Sequence, residues 1–350
     1  MKRMILLLIA GVFSAVFILS SNVNFMKIWA QYRYSGASKL PSDKYRFGDL
    51  YGFSYLAQYK KREFIADDVK PYYLRNKLTR NVDLYSICDS YLWAFNPIDS
   101  LMHNTNSFNF TRWGYDAKKF HLNPSKKNVL LLEIVERNAL GAFSDTAYVY
   151  RHLGVVSSVS EETVTDMFPS VGWAKNIFNK NIDTNLEFNL FEYPIFTPFK
   201  ELKAQLNYSV FNRQSSDVIV SKIRNQLYYG PTVTATEKSS SFRPITDGKI
   251  DTLVTSLNQI YQHYRKAGFS EVYLVIMPNP VTILEPELGV YNDFLPRTQY
   301  NKILKIPVID IYSKFNKIKS QPIYQISDSH WAKLGFLTGI AKIDSAIATH

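Results

Sequence analysis

Asn128-Val129-Leu130-Leu131-Leu132-Glu133-Ile134-Val135 is a near-continuous apolar run that closes on Glu136-Arg137-Asn138. So little alternation suits a strand covered on both faces, as in parallel sheets packed between helices. Upstream, Val82 to Ile87 is a short apolar-rich strand that runs straight into Cys88-Asp89-Ser90. Downstream, Ile250, Leu253, Val254, Leu257, Ile260, Tyr261 and Tyr264 recur at helical spacing, and Gly268 follows as a stop signal. Glu271 to Met277 reads as a strand ended by Pro278-Asn279-Pro280, and Ile306 to Tyr312 as another. After Asp328-Ser329-His330, the residues Phe336, Ile340, Ile343 and Ile347 mark a last amphipathic helix. Strand–helix–strand alternation predicts an α/β fold, a three-layer sandwich whose sheet is mostly parallel.

Residues 139–249 fit that alternation less well. Leu186, Phe188 and Leu190 alternate like a strand, and Thr197-Pro198 reads as the cap and first position of a helix. The stretch is expected to be an insertion within a domain spanning 81–350. Residues 27–80 form a polar, aromatic-spotted connector, with linker punctuation from Ser35 to Asp43.

Composition narrows the class. The chain has 350 residues, 46% hydrophobic and 15% aromatic, which excludes low-complexity disorder. One long apolar run and a slightly negative mean hydropathy exclude a multi-pass membrane protein. One cysteine, Cys88, excludes a disulfide scaffold and the paired-Cys zinc sites. A net charge of +11 suits nucleic acid, anionic lipid or an acidic polymer. Lys and Arg are spread along the chain, however, so the reading is a solvated basic surface with no nucleic-acid partner. The 24 Tyr and 23 Phe serve chiefly core and rim packing, with stacking on sugar rings as the other use. There is no P-loop, GxGxxG or HExxH, and His103, His121, His152, His263 and His350 show no metal spacing. No cofactor or metal is expected.

Lys2 and Arg3 precede an uncharged run from Met4 to Leu19, broken by Ser20-Ser21-Asn22. Two cations at the extreme N-terminus argue against a buried core helix. Leu19 near the best cut suits signal cleavage poorly, and a lipoprotein cysteine is missing. Residues 1–26 therefore read as an uncleaved signal-anchor, extended by Val23 to Ile28, with 27–350 outside the cytoplasm; cleavage would make the protein secreted.

Open parallel sheets gather ligand-binding residues at the carboxyl ends of their strands. Asp89-Ser90, Glu136-Arg137-Asn138 and Asp328-Ser329-His330 stand there, either as ordinary loop polar residues or as the parts of an acyl-transfer site. A serine hydroxyl needs a neighbouring imidazole to take its proton. The imidazole needs a carboxylate on its other nitrogen. Ser90, His330 and Asp328 fill those roles. Cys88 reads as a small apolar strand-end residue rather than a nucleophile beside His330.

The block Asp328-Ser329-His330-Trp331-Ala332-Lys333-Leu334-Gly335 resembles the D-x-H-W-x-x-x-G block of SGNH-fold proteins in the alginate O-acetylation group. Val135-Glu136-Arg137 resembles that group's E-x-V-E-R strand, Met277-Pro278-Asn279-Pro280 its P-N-K turn, and Cys88-Asp89-Ser90-Tyr91 its G-D-S-F nucleophile block. The serine block comes first here, as in ordinary SGNH esterases. Cys88 stands where the family has glycine, a replacement that requires a negative φ. The resemblance implies oxyanion donors at the N–H groups of Ser90 and Gly114, with Arg137 or Asn138 replacing the family's Asn. It also places Asn279 and Trp331 at the substrate. Arg137 has a second reading, an ion pair with Glu136 or Glu133.

What this implies is a membrane-anchored acyl (acetyl) transferase or esterase working through an acyl-serine intermediate. Its partners would be a cell-surface carbohydrate polymer and an acyl donor. The alternatives are a non-catalytic glycan-binding or scaffold protein of a polysaccharide export system, and a purely structural exported domain.

Overall fold

The computed structural model describes residues 2–34, 38–43, 46–61, 64, 68, 81–94, 101–114, 117–155 and 181–348. In chain order the elements are α1 (Lys2–Ser21), α2 (Val23–Tyr34), α3 (Asp49–Ser54), β1 (Val82–Cys88), α4 (Ser90–Trp93), β2 (Ser107–Arg112), β3 (Lys118–Phe120), β4 (Lys127–Val135), α5 (Glu136–Phe143), α6 (Thr146–His152) and β5 (Leu153–Val155). There follow α7 (Ile182–Phe191), α8 (Thr197–Phe211), β6 (Val218–Val220), β7 (Leu227–Tyr229), α9 (Gly230–Val233), α10 (Asp247–Lys266), β8 (Glu271–Met277), α11 (Pro280–Leu284), α12 (Phe294–Gln299), α13 (Ile311–Lys317) and α14 (Lys333–Ala348). Two compact units result: 1–62 with 161–215, and 63–160 with 216–350. The stretch expected as an insertion is thus divided, since 139–155 and 216–249 belong to the sheet-bearing unit and 161–215 to the other. Of the connector, 35–37, 44–45 and most of 62–80 lie outside the described residues.

The sheet-bearing unit is mixed α/β, built on a parallel sheet in the order β2-β1-β4-β8. The apolar run of β4 explains itself in this setting. Val129, Leu131 and Val135 turn to one face, where Phe315 of α13 and Ile340, Ile343 and Ile347 of α14 cover them. Leu130, Leu132 and Ile134 turn to the other, under Leu253, Val254, Leu257 and Ile260 of α10. A strand with a core on each side cannot alternate polar with apolar. Because β2 lies on one side of β1 and β4 on the other, the strand order reverses between β1 and β4. The carboxyl ends of that pair form the crevice where such sheets bind ligands.

Two sequence expectations need correction here. β2 was not anticipated, because only Phe108 and Phe110 mark it as a strand. The expected strand at 306–312 shrinks to a single parallel bridge between Val308 and Leu274. Leu274 N–H donates to Pro307 O and Ile309 N–H to Leu274 O, both at 2.9 Å. Pro307 contributes no donor. Asp310 then accepts from Ser313 N–H at 2.8 Å and starts α13 at Ile311.

In the other unit, α1 is one 20-residue helix, long and apolar enough to cross a membrane. Val23 to Ile28 do not extend it. Asn22 Oδ1 accepts from Phe25 N–H at 2.9 Å and opens α2 as a separate helix. Leu186, Phe188 and Leu190 lie on α7, not on a strand. Asn185 and Asn189, one turn apart, both reach Ser20, a convergence that helical spacing provides. The α8 cap position is Phe196, with Thr197 already helical and donating to Asp43 Oδ2 at 2.9 Å. Arg33 is fully buried, donating to Leu40 O, Phe188 O and Glu192 O between the rings of Phe188 and Tyr193.

The segment carrying Asp328 and His330 is a tight hairpin. Tyr324 and Trp331 bridge antiparallel, Gln325 N–H donates to His330 O, and Ala332 N–H donates to Ile323 O. α14 seats against its base through Gly335, where a Cβ would lie 2.1 Å from Ile323 O. Gly335→Ala is therefore expected to push the hairpin off α14 and cost at least about 2 kcal/mol in a denaturant titration. An unchanged midpoint would show that the contact can relax.

Candidate active site

Cys88 ends β1 and Asp89 turns the chain into α4. Asp89 Oδ1 accepts from Tyr91 N–H at 2.9 Å, and Oδ2 accepts from Val135 N–H at 2.7 Å, at the end of β4. Asp89 N–H in turn donates to Glu133 Oε2 at 2.9 Å. Two of these bonds tie the residue that follows β1 to β4, and the third ties it to the first turn of α4. Glu133 is fully buried, and burial, with the neighbouring Asp89 charge, drives its carboxyl well above the ordinary range.

Ser90 stands at the first position of α4, where its N–H has no intrahelical acceptor. Its Oγ lies 2.7 Å from His330 Nε2, and His330 Nδ1 lies 2.5 Å from Asp328 Oδ1. Asp328 Oδ1 also accepts from His330 N–H at 2.9 Å, holding carboxylate and imidazole in one loop. With the Nδ1 proton directed to Asp328, the Nε2 lone pair faces the serine hydroxyl, the arrangement needed to take its proton. Tyr91, directly after the serine, donates its hydroxyl to Ser329 O at 2.6 Å and packs on the rings of His330 and Trp331. It joins the serine helix to the histidine hairpin.

Cys88 is fully buried, with Sγ 3.8 Å from Thr111 O, and burial raises its thiol well above the ordinary value. It does not have a positive φ. Nothing in the turn therefore requires glycine, and a buried protonated thiol is no nucleophile.

The other expected site residues divide. Arg137 and Asn138 line a cleft of about 820 Å³ at the end of β4, together with Trp113, Tyr148, Lys238 and Arg243. Arg137 Nη1 is buried without a hydrogen-bond partner among the described residues, and its charge acts on the Tyr91 hydroxyl. Its second reading, an ion pair with Glu136 or Glu133, is not met among the described residues: Glu136 accepts from Asn279 N–H, Thr282 and Tyr291, and Glu133 Oε2 from Asp89 N–H. Gly114 N–H is not available as an oxyanion donor. It donates to His152 Nε2 at 2.8 Å, while His152 Nδ1 pairs with Tyr148 O at 2.7 Å. Asn279 is fully buried and holds Glu136 and Ser241 rather than facing an opening. Trp331 is likewise fully buried, packed on Tyr91 and Phe336, and Gly339 leaves room for its ring. The tryptophan and glycine of the D-x-H-W-x-x-x-G block pack the hairpin; its His reaches the serine and its Asp reaches the His.

The sequence reading missed Asp89, Glu133 and Tyr91 as supports of the site. Asp89 had a visible signal, an N-cap residue before a helical run. For the other two only the strand order reveals what they touch.

Burial pushes the Glu136 carboxyl up to about 7, against the downward pull of its three hydrogen bonds. Between the ordinary value of 4.5 and about 7, the folded state keeps a proton that the unfolded chain has lost. This contribution to stability is full below 4.5, declines as pH rises through that window and levels off above it. Glu136→Gln is expected to remove a decline on the order of 2 kcal/mol between pH 5 and 8, read from melting temperatures. Parallel pH profiles for variant and wild type would contradict this. Cys88→Gly is expected to cost about 2 kcal/mol, from a lost buried side chain and a freer strand end, with no gain in activity. A faster Cys88→Gly variant would mean that the cysteine strains the turn.

No protein-family model, no curated protein and no solved structure matches the chain.

Proposed function

We propose that the chain is a membrane-anchored, SGNH-like serine acyltransferase or esterase. It would act outside the cytoplasm on a cell-surface polysaccharide. The observation that carries the reading is the Ser90–His330–Asp328 relay, with both hydrogen bonds at full contact distance. Ser90 Oγ attacks the carbonyl carbon of an acyl ester while its proton passes to His330 Nε2. The tetrahedral oxyanion faces the Ser90 N–H. On collapse, the leaving alcohol takes the proton from His330 and an acyl-serine remains. A sugar hydroxyl, or water, then gives its proton to His330 and takes the acyl group, restoring Ser90. Asp328 holds the tautomer and stabilises the imidazolium at each protonated stage.

The cleft beside Arg137, which Ser90, Asp328 and His330 do not line, has walls that suit a carbohydrate. Trp113 and Tyr148 stack within it at 6.0 Å and 13°, and Lys238, Arg243 and Lys249 outnumber Asp145 along its walls. The helix α1 supports anchoring. One observation favours the alternative, a glycan-binding protein without turnover. Engagement of the Gly114 N–H by His152 leaves fewer backbone donors for an oxyanion.

Turnover of acyl esters by the full chain in detergent separates the readings. Ser90→Ala and His330→Ala are each expected to abolish it, and the double variant to be scarcely worse than either, because the two act as one unit. Asp328→Asn is expected to cost roughly tenfold less than either loss. Absence of turnover across acyl donors, with retained glycan binding, would establish the binding protein. Full activity in Ser90→Ala would remove the proposed nucleophile.

A further inference from the structure

We propose that α8 is an interfacial helix lying in the surface of an anionic lipid leaflet, beside the point where α1 leaves the bilayer. Its residues Phe199, Leu202, Leu206 and Val210 are spaced three, four and four apart, so they share one face. They are 70%, 60%, 50% and 67% exposed. The opposite face is engaged within the unit, Thr197 bonding Asp43 and Glu201 accepting from Tyr51. A helix with one side packed and an unbroken apolar stripe on the other needs an occupant for that stripe.

Three further features indicate lipid. The span's last turn is bonded to α7, since Asn185 Nδ2 donates to Ser20 O and Asn189 Nδ2 to Ser20 Oγ, both at 2.8 Å. α7 and α8 then share an apolar groove of about 520 Å³, lined by Leu186, Leu190, Phe191, Phe196 and Phe199. α7 is thus both the helix to which the end of α1 is bonded and one wall of the groove that Phe199 enters. Secondly, α2 begins one residue after α1 and carries a ladder of stacked rings, Phe25 on Trp29 at 6.1 Å and Trp29 on Tyr32 at 5.6 Å. Aromatic side chains gather at the headgroup level of membranes. Thirdly, Lys27, Lys200 and Lys203 stand beside these apolar surfaces against Asp183 and Glu187, a small cationic excess that suits an anionic leaflet. Such helices seat their apolar face about 5–10 Å into the headgroup–acyl boundary.

The test uses the full chain in nanodiscs of phosphatidylcholine with phosphatidylglycerol. Buried Cys88 is the sole native thiol, so an introduced Leu206→Cys is labelled selectively with an environment-sensitive fluorophore. Thr252→Cys, at an exposed position of α10, and Phe13→Cys in α1 serve as references. Leu206 is expected to be quenched several-fold more than Thr252 by a lipid nitroxide near the glycerol backbone, and more than by one at the acyl terminus. Val210→Cys should behave as Leu206→Cys does, guarding against a local effect of one substitution. Quenching at Leu206 with none at Phe13 would overturn the placement of α8 beside a spanning α1. Equal quenching at Leu206 and Thr252 would overturn the proposal. Protection of Leu206 from aqueous iodide without lipid quenching would also overturn it, in favour of a second copy of the chain.

Discussion

The site depends on one carboxylate. Asp89 spans the gap between the ends of β1 and β4, accepting from Val135 N–H on one oxygen and Tyr91 N–H on the other. Without it, the Val135 N–H at the end of β4 and the Tyr91 N–H in the first turn of α4 would lose their acceptor, each loss costly when buried. With it, Ser90 has one position. The neighbouring Glu133 accepts the Asp89 N–H from deep in the sheet, where burial favours its neutral form. The Asp89 charge pushes Glu133 the same way, against a second negative charge at these strand ends.

From Asp89 the order passes to the second half of the site. Tyr91 links the serine helix to Ser329, and the Tyr324–Trp331 bridge keeps Asp328 and His330 at the hairpin tip. Trp331 and the close approach of Gly335 to Ile323 secure that hairpin against α14. The Ser90–His330–Asp328 geometry therefore rests on packing and backbone bonds around three side chains that are themselves only partly buried. Support of that kind allows a serine and a histidine 240 residues apart to meet at hydrogen-bond distance.

The strands at 82–88, 127–135 and 271–277 were legible because both their faces are apolar, and runs of that kind have few other uses. β2 was not, since its apolar residues are confined to Phe108 and Phe110. The 306–312 stretch carries the composition of a strand, but Pro307 and Asp310 stop the ladder and start a helix. α7 was misread because Leu186, Phe188 and Leu190 alternate, while the polar contacts that make it a helix lie with Ser20, far away in sequence. The relay was legible from polar residues placed after strands. The loss of Gly114 as a donor was not, because His152 lies 38 residues on and only the folded chain brings it there. Asn279 and Trp331 were assigned to substrate through a resemblance, and their complete burial gives them packing roles instead.

Activation of Ser90 by His330 is tested most directly by peptide mass spectrometry of the full chain after reaction with a fluorophosphonate. A single adduct on Ser90, missing from His330→Ala, is the predicted result. No adduct, or one on another serine with Ser90 unmodified, would contradict it.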